Sequence, residues 1–128
     1  MEEIWGKSME DFNATVAAFH QLIGEGKFME ALETYYDENA CSTDNDGPAI
    51  HGLAALRKAA AGFLGNTTDM KMVLENSIVI DNYSVAQWHY RFTNSKIGAV
   101  DYRQISVAHW KAGKIIKEQH LHNIVYQG

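Results

Sequence analysis

The order of hydrophobic patterns along the chain predicts an α+β fold, in which three N-terminal helices precede an antiparallel sheet. In the first half, apolar residues recur at helical spacing, whereas the second half consists of long runs rich in β-branched and aromatic residues. Helices followed by a meander of strands are typical of a helical layer packed on one sheet. No linker, repeat or low-complexity tract interrupts the 128 residues, so we expect one domain spanning residues 1–128.

Helical signals predict helices at residues 8–24, 27–37 and 52–64. Ser8 stands before Glu10 and Asp11, an arrangement typical of a helix N-terminus. The apolar residues of this first helix recur at helical spacing, and they are Phe12, Val16, Phe19 and Ile23. A break at Gly24–Gly26 separates it from a second, shorter helix, and an alanine-rich third helix ends at Gly65.

Strand signals begin with a short segment at residues 40–43, which a turn-rich loop at residues 44–48 follows. Four long strands then follow, at residues 70–80, 83–93, 100–110 and 114–126. In the strand at 83–93, aromatic and polar side chains alternate, so one of its faces is aromatic. The pattern leaves open whether this face lines a cavity or belongs to the core or an interface.

The final hairpin is the most informative part of the sequence. Gly113 accepts positive φ and Ala112 does not favour it, so the sequence predicts a three-residue turn with Gly113 in the left-handed position. The resulting register pairs residues that share one face, namely Ser106 with Glu118, Gln104 with His120 and Tyr102 with His122. Most polar groups suited to chemistry thus lie together.

The opposite face of the hairpin mixes apolar and polar side chains. Its predicted members are Arg103, Ile105, Val107, Ile115, Lys117, Gln119 and Leu121. Such a mixed face suits pairing across a two-fold axis better than exposure to water. We therefore expect a homodimer formed through the sheet.

The segment Glu118-x-His120-x-His122 is the main candidate site. Residues two apart in a strand share a face, so the carboxylate and both imidazoles project in the same direction. They could form a catalytic acid–base group in which Glu118 fixes the tautomer of His120. They could instead bind a metal ion, or they could be polar groups on a half-solvated sheet or at an interface. The sequence predicts neither a cofactor nor a dedicated metal site.

Charge and composition exclude several classes of partner. The net charge is −5 and no cluster of Lys and Arg is present, which argues against binding to nucleic acid or to anionic membranes. Cys41 has no second cysteine to pair with, and no stretch approaches the length of a membrane span. The expected location is the cytoplasm. His20 lies beside the apolar stripe of the first helix, and we expect it at the surface.

The order of these motifs resembles the nuclear-transport-factor-2-like superfamily. The resemblance rests on the break at residues 25–28, the acidic segment 36–40, Ile50-His51-Gly52 before the third helix, and residues 112–115 in the last hairpin. Within the superfamily the chain is most similar to the SnoaL-like polyketide cyclase and ketosteroid isomerase branch. This similarity implies a cystatin-like cone, in which a curved sheet wraps around the helices, with a small apolar or amphipathic ligand at its open end.

The resemblance also assigns positions to the family's functional residues. The isomerase base falls on Thr43, with Asp44 next to it, and the tyrosine that stabilises the oxyanion falls on Phe19. An acidic partner falls near Ser106, and the late acidic residue of the cyclases falls near Asn123. None of the directly matched positions retains the family's chemical group, which argues against isomerisation in the family's manner. A one-residue insertion would bring the carboxylate of Asp44 inward as the base, and this alternative stays open.

Two functions remain open on the sequence alone. The first is a lyase, isomerase or hydrolase acting on an apolar oxygenated molecule, with His120 as acid or base, and Glu118, Tyr102 and Gln104 orienting it. In this interpretation Phe19, Thr43, Asp44, Ser106 and His122 complete the site. The second is a non-catalytic domain that binds a ligand or promotes dimerisation.

Overall fold

The protein is described by a computed structural model that covers the backbone of residues 2–123 and the side chains of residues 9–123. Its helices are α1 (Glu2–Gly24), α2 (Phe28–Tyr35) and α3 (Leu53–Gly65). Its strands are β1 (Tyr36–Asp44), β2 (Ile50–His51), β3 (Thr67–Ile80), β4 (Tyr83–Asn94), β5 (Gly98–Lys111) and β6 (Lys114–Leu121). The predicted α+β class is confirmed.

Helix α1 supplies the layer that packs on the sheet. It begins at Glu2, so the predicted start at Ser8 is wrong. The helix ends where Gly26 adopts a φ of 76°, and the amide of Lys27 donates to the carbonyl of Leu22 at 2.9 Å. This glycine cap reverses the chain tightly into α2. Among the described helices, none is long and apolar enough to cross a lipid bilayer.

Helix α2 is shorter than predicted because strand pairing begins earlier. The prediction extended it to residue 37, but it ends at Tyr35. Tyr36 pairs with Ile115 of β6, and the residues that follow form the long β1 rather than a four-residue strand. Pairing with a neighbouring strand thus overrides the helical spacing of the sequence.

The six strands form one open sheet in the order β2-β1-β6-β5-β4-β3. Strands β3 to β6 form the predicted antiparallel meander, with boundaries within a few residues of those expected. The sheet as a whole is mixed, because β1 runs parallel to β6. That parallel pair corrects the prediction of a wholly antiparallel sheet. Residues 124–126, predicted to extend the last strand, lie outside the described part of the chain.

The final hairpin differs from its predicted form in two places. Ala112 and Gly113 have φ values of 52° and 78°, so the turn has two residues rather than three. A bulge then follows, because Trp110 pairs with Ile115 whereas His109 pairs with Lys117, which leaves Ile116 as the extra residue. The two differences together shift the register by two residues, and Ser106 therefore pairs with His120 instead of Glu118.

An even shift keeps side chains on their predicted faces beyond the bulge. Glu118, His120, Ser106 and Gln104 still share the inner face. Before the bulge the prediction fails: Ile115 was expected on the outer face, but it is completely buried in the core. Ile105, Val107 and Leu121 do lie on the outer face.

The main hydrophobic core lies between the helices and the sheet. Trp110 is 1% exposed and makes edge-to-face ring contacts with Phe12 at 5.6 Å and Phe19 at 5.5 Å. Val16, Leu32 and Ile115 pack around the same region. Aromatic packing of this kind fills the space around Trp110, and some of the same core residues, such as Phe19 and Leu32, also border a cavity.

Candidate active site

A cavity of about 290 Å³ lies between the helices and the inner face of the sheet. Most of its wall is apolar and comes from α1, α2, α3 and β4, with Phe19, Ile23, Phe28, Leu32, Leu56, Phe63, Trp88 and Phe92 as the large members. Most of the polar side chains come from β1, β5 and β6, and His20 of α1 is also polar. A mainly apolar cavity with a few converging polar groups is typical of a small-molecule site.

Strand periodicity explains why the polar groups converge. Alternate residues of β5 and β6 point inward, which brings Gln104, Ser106, Glu118 and His120 to the cavity wall. The same alternation in β4 directs Trp88, Tyr90 and Phe92 inward. The aromatic face of this strand, left unassigned by the sequence, therefore lines the cavity.

Glu118 is the buried centre of the polar network, with only 5% of its surface exposed. The hydroxyl of Tyr36 donates a hydrogen bond to its Oε1 atom. The same oxygen lies 3.2 Å from His120 Nε2. Two donors on one oxygen hold the carboxylate in a fixed orientation.

The other ring nitrogen of His120 also has protein partners. Its Nδ1 atom lies 2.8 Å from Ser106 Oγ and 3.1 Å from the side-chain nitrogen of Gln104. Gln104 also donates to Ser106 Oγ at 3.0 Å, and its carbonyl accepts a long bond of 3.4 Å from Tyr102. His120 is therefore fixed at both nitrogens, by a carboxylate on one side and by a hydroxyl and an amide on the other.

Charges in this network reinforce each other. Burial alone would lower the pKa of His120, but the charge of Glu118 and its hydrogen bond raise it overall. Burial would raise the pKa of Glu118, but His120, together with the bond from Tyr36, lowers it overall. The pair consequently favours the ionised carboxylate and the imidazolium. For Tyr36, burial and then Glu118 raise the pKa well above its usual value, so its hydroxyl remains a donor.

The mouth of the cavity carries a second acidic and basic pair. His122 Nε2 lies 3.9 Å from Asp44 Oδ1, and the amide of His122 donates to the side chain of Asn45 at 2.9 Å. The ring of His122 also meets the ring of Tyr102 edge to face at 5.7 Å. Asp44 is 62% exposed in its side chain, so this pair lies where the cavity meets solvent.

The structure brings together all the predicted site residues except Thr43. The parallel register pairs Ser42 with Glu118 and Asp44 with His120, whereas Thr43 pairs with Gln119 on the outer face. Thr43 therefore does not line the cavity, whereas its neighbours Ser42 and Asp44 do, so the inward-facing position on β1 lies one residue beyond the family match. Phe19 does line the cavity, as predicted.

Two residues of the site were not recognised from the sequence. His20 was expected at the surface, but it is 6% exposed and lines the cavity. It follows Val16 by four positions, so a wider helical stripe would have included it. Tyr36 belongs to the acidic segment that follows the second helix, and no pattern in the sequence indicates its contact with Glu118.

The donor set of the site does not form a metal centre. Glu118, His120 and His122 share the inner face as predicted, but the described residues include no group of three or more His, Cys, Asp or Glu side chains close enough to hold one ion. The second nitrogen of His120 is directed at Ser106 and Gln104. The arrangement suits hydrogen bonding and proton transfer better.

Comparison with known sequences identifies the domain. The sequence model described as the SnoaL-like domain matches residues 16–118, which include α1 from Val16 through Glu118 of β6. No curated protein matches the chain.

Solved structures share the same fold at low identity. A candidate SnoaL-like polyketide cyclase from Mesorhizobium loti has a TM-score of 0.76 at 22% identity, with 84% of this chain and 96% of that chain covered. A candidate SnoaL-like polyketide cyclase from Jannaschia sp. CCS1 has a TM-score of 0.75 at 15% identity, with 85% of each chain covered. Bal32a, from a soil-derived mobile gene cassette, has a TM-score of 0.74 at 19% identity, with 88% and 89% covered.

Proposed function

Because the chain belongs to the SnoaL-like domain family, we propose that it binds a small, mainly apolar carbonyl compound and polarises the carbonyl oxygen for proton transfer. The residues that would act on this oxygen are Ser106, His120 and Glu118. Some similar structures are described as candidate polyketide cyclases, a name that implies ketone-bearing substrates, and this supports the choice of a carbonyl compound. The reaction class is that of a lyase or isomerase.

The observation that carries this proposal is the buried ion pair of Glu118 and His120 on the wall of an apolar cavity. Removing both charges from water costs several kcal/mol per ion, and an apolar pair of similar volume would avoid about that cost. A folding role alone does not require a charged pair at this place. A pair that faces a cavity can instead act on what enters it.

The two protonation states of His120 give Ser106 a switchable role. When His120 is an imidazolium, its Nδ1–H donates to Ser106 Oγ, and the hydroxyl hydrogen of Ser106 is free to donate to a ligand oxygen. When His120 is neutral and carries its only ring proton on Nε2, Ser106 donates to Nδ1 instead. The Gln104 amide can match either state by rotating its terminal group. The charge of His120 thus directs a hydrogen-bond donor at the ligand.

A carbon-13 measurement tests this function directly. The probe is 2-tetralone labelled at its carbonyl carbon, a compact apolar ketone suited to a cavity near the lower end of the usual range of roughly 300–1,000 Å³. Binding to the wild-type protein should move the carbonyl resonance downfield, because donation to the oxygen withdraws electron density from the carbon.

The matched variants are Ser106→Ala and Thr43→Ala. Each removes a hydroxyl from a strand, but Thr43 lies on the outer face. We expect Ser106→Ala to bind the ketone with a much smaller downfield shift and Thr43→Ala to behave as wild type. An absence of saturable binding, or an undiminished shift in Ser106→Ala, would contradict the proposal.

The alternative is a non-catalytic ligand-binding domain. It is favoured by the engagement of both nitrogens of His120 with protein groups, which makes direct contact between this ring and a ligand harder. In that case the ketone should bind, but no bond to its carbon atoms should be made or broken.

A further inference from the structure

We propose that His20 is the catalytic base of this site and removes a proton from the carbon next to the ligand's carbonyl group. This inference rests on the proposed function, in which Ser106 and His120 polarise the carbonyl oxygen. It assigns the other half of the chemistry to a residue on α1, opposite the sheet.

His20 is a buried titratable group of the cavity that the described polar network does not engage. The residue is 6% exposed, and its ring packs edge to face against Trp88 at 5.8 Å, with Phe19 at 5.6 Å on the same helix. No group among the described residues hydrogen-bonds its ring. Its nitrogens are nevertheless not sealed off, since the described residues contain no fully buried side-chain nitrogen or oxygen without a partner. A lone pair of His20 therefore faces accessible space.

The other titratable groups that line the cavity near His20 are less suited to accept a proton. Glu118 on β6 already accepts bonds from Tyr36 and His120, which stabilise its charge and weaken it as a base. The nitrogens of His120 are both engaged, and Tyr36 on β1 donates to the carboxylate. For Tyr90 on β4, burial raises the pKa well above its usual value, so it remains protonated.

Electrostatics support the assignment. Burial lowers the pKa of His20, and the charge of Glu118 offsets this only in part. His20 is therefore neutral at pH 7, whereas the pKa of His120 is raised. Environments that push two titratable groups in opposite directions commonly mark one as base and the other as acid.

His20 also has a route by which a proton can leave. A second depression of about 680 Å³ lies between α1 and the β3–β4 hairpin, and its wall again includes His20 and Trp88. His20 therefore borders both the ligand cavity and this depression between α1 and the sheet. A proton taken from a ligand can pass to water there without returning through the cavity.

The proposed step is a proton transfer without redox change. The bond between the α-carbon and its hydrogen breaks, the proton moves to the unprotonated nitrogen of His20, and the electron pair forms an enolate. The oxygen of the enolate is held by the hydroxyl of Ser106. In D₂O, His20 exchanges its proton with solvent and returns a deuteron to the same carbon.

The experiment follows the deuteration of 2-tetralone in D₂O by proton NMR, with the buffer rate subtracted. Wild-type protein should accelerate the exchange, and the rate should fall as the medium is acidified through a pKa below the ordinary value of 6.5. His20→Gln should lower the protein-dependent rate by about 100-fold or more. In this variant the rate should no longer fall as the medium is acidified. His51→Gln, which changes an exposed histidine of β2, should leave the rate and profile unchanged.

The carbon-13 shift of the bound ketone separates the possible failures. In His20→Gln this shift should match wild type, which shows that the fold and the Ser106 contact remain intact. A wild-type protein that binds and polarises the ketone without accelerating deuteration would overturn the role of His20 alone. Retained deuteration in His20→Gln would do the same, and an absence of ketone binding to wild type would overturn both proposals.

Discussion

Glu118 Oε1 and His120 Nε2 lie 3.2 Å apart on the inner face of β6, so one strand supplies both members of a buried ion pair. The two residues are separated by one position, and their mutual orientation depends on the pleat of a single strand rather than on the packing of distant elements. The two side chains therefore lie side by side whenever β6 adopts its extended conformation in the sheet. Its partners Tyr36 and Ser106 come from the strands on either side.

Replacing Glu118 with Gln should lower the pKa of His120. The carboxylate stabilises the imidazolium, and without it the desolvation of His120 dominates. An NMR titration of the His120 ring protons in wild type and Glu118→Gln measures the change. Glu38→Gln removes the same charge from an exposed position and should have no such effect, because solvent screens it. A His120 titration that ignores Glu118→Gln would show that the pair is not coupled.

Removing both partners of the pair should cost less than the two single removals added together. His120→Gln leaves the Glu118 charge buried, and we expect the free energy of unfolding at pH 6 to fall by about 3–5 kcal/mol. The double variant Glu118→Gln/His120→Gln should be more stable than the sum of the two single losses predicts. Urea unfolding of the four proteins measures this coupling, and simple additivity would contradict it.

The stabilisation from the pair should depend on pH in a defined window. The pKa of His120 is raised from 6.5, so its contribution is complete below that value and is lost as pH rises through the folded pKa. The pKa of Glu118 is lowered from 4.5, so its contribution is present above that value and is lost as pH falls through the folded pKa. The difference in urea midpoint between wild type and Glu118→Gln should be greatest between these limits. A difference that is the same at pH 5.5 and pH 9 would be evidence against the ion pair.

The hairpin turn should gain stability from Ala112→Asn. Ala112 has a φ of 52°, which costs an alanine about 1–2 kcal/mol, whereas asparagine accepts this conformation and Asn-Gly suits a two-residue hairpin. We expect a gain of about 0.5–1 kcal/mol in urea unfolding. Ala99→Asn, at an exposed position within β5, is the control and should not stabilise. A loss of stability in Ala112→Asn would indicate that the three-residue turn is correct after all.

Association through the outer face of the sheet stays a prediction, and Val107→Glu tests it. Val107 lies next to the Ile105–Leu121 pair on this face, opposite Gln119 of β6, and a charge there would be buried in a dimer. Sedimentation at micromolar concentration should show a dimer for wild type and a monomer for Val107→Glu. Met9→Glu, at an exposed apolar residue of α1, should remain dimeric. A monomeric wild type would rule out this interface.

Sequence patterns predicted the elements better than they predicted their pairing. Helical spacing and runs of β-branched residues located all three helices and the meander, because each signal is local. The parallel contact of β1 with β6 left no such signal, since it depends on residues about 80 positions apart, such as Tyr36 and Ile115. For the same reason the sequence did not reveal that Tyr36 contacts Glu118.

The candidate site was predicted partly through compensating errors. The two-residue turn shifts the pairing of β5 with β6 by one residue from the predicted register, and the bulge at Ile116 shifts it by one more. Because the total shift is even, Glu118 and His120 still share a face with Ser106 and Gln104. Ile115 lies before the extra residue, and its predicted face was therefore wrong. His20 lies outside the narrow apolar stripe that predicts the buried side of α1, but the buried face of the helix is wider than that stripe and includes it.

Ile116 also affects how this protein can be compared with its relatives. The residue divides β6 into a part that anchors the core and a part that carries the polar network, and a relative lacking it would present the opposite set of side chains to the cavity. Thr43 shows the same effect on β1, where its neighbours rather than Thr43 itself face inward. Equivalent functional groups in such chains should therefore be matched by sheet face and cross-strand neighbour. Alignment columns counted from the hairpin can pair an inward residue with an outward one and make a retained site look lost.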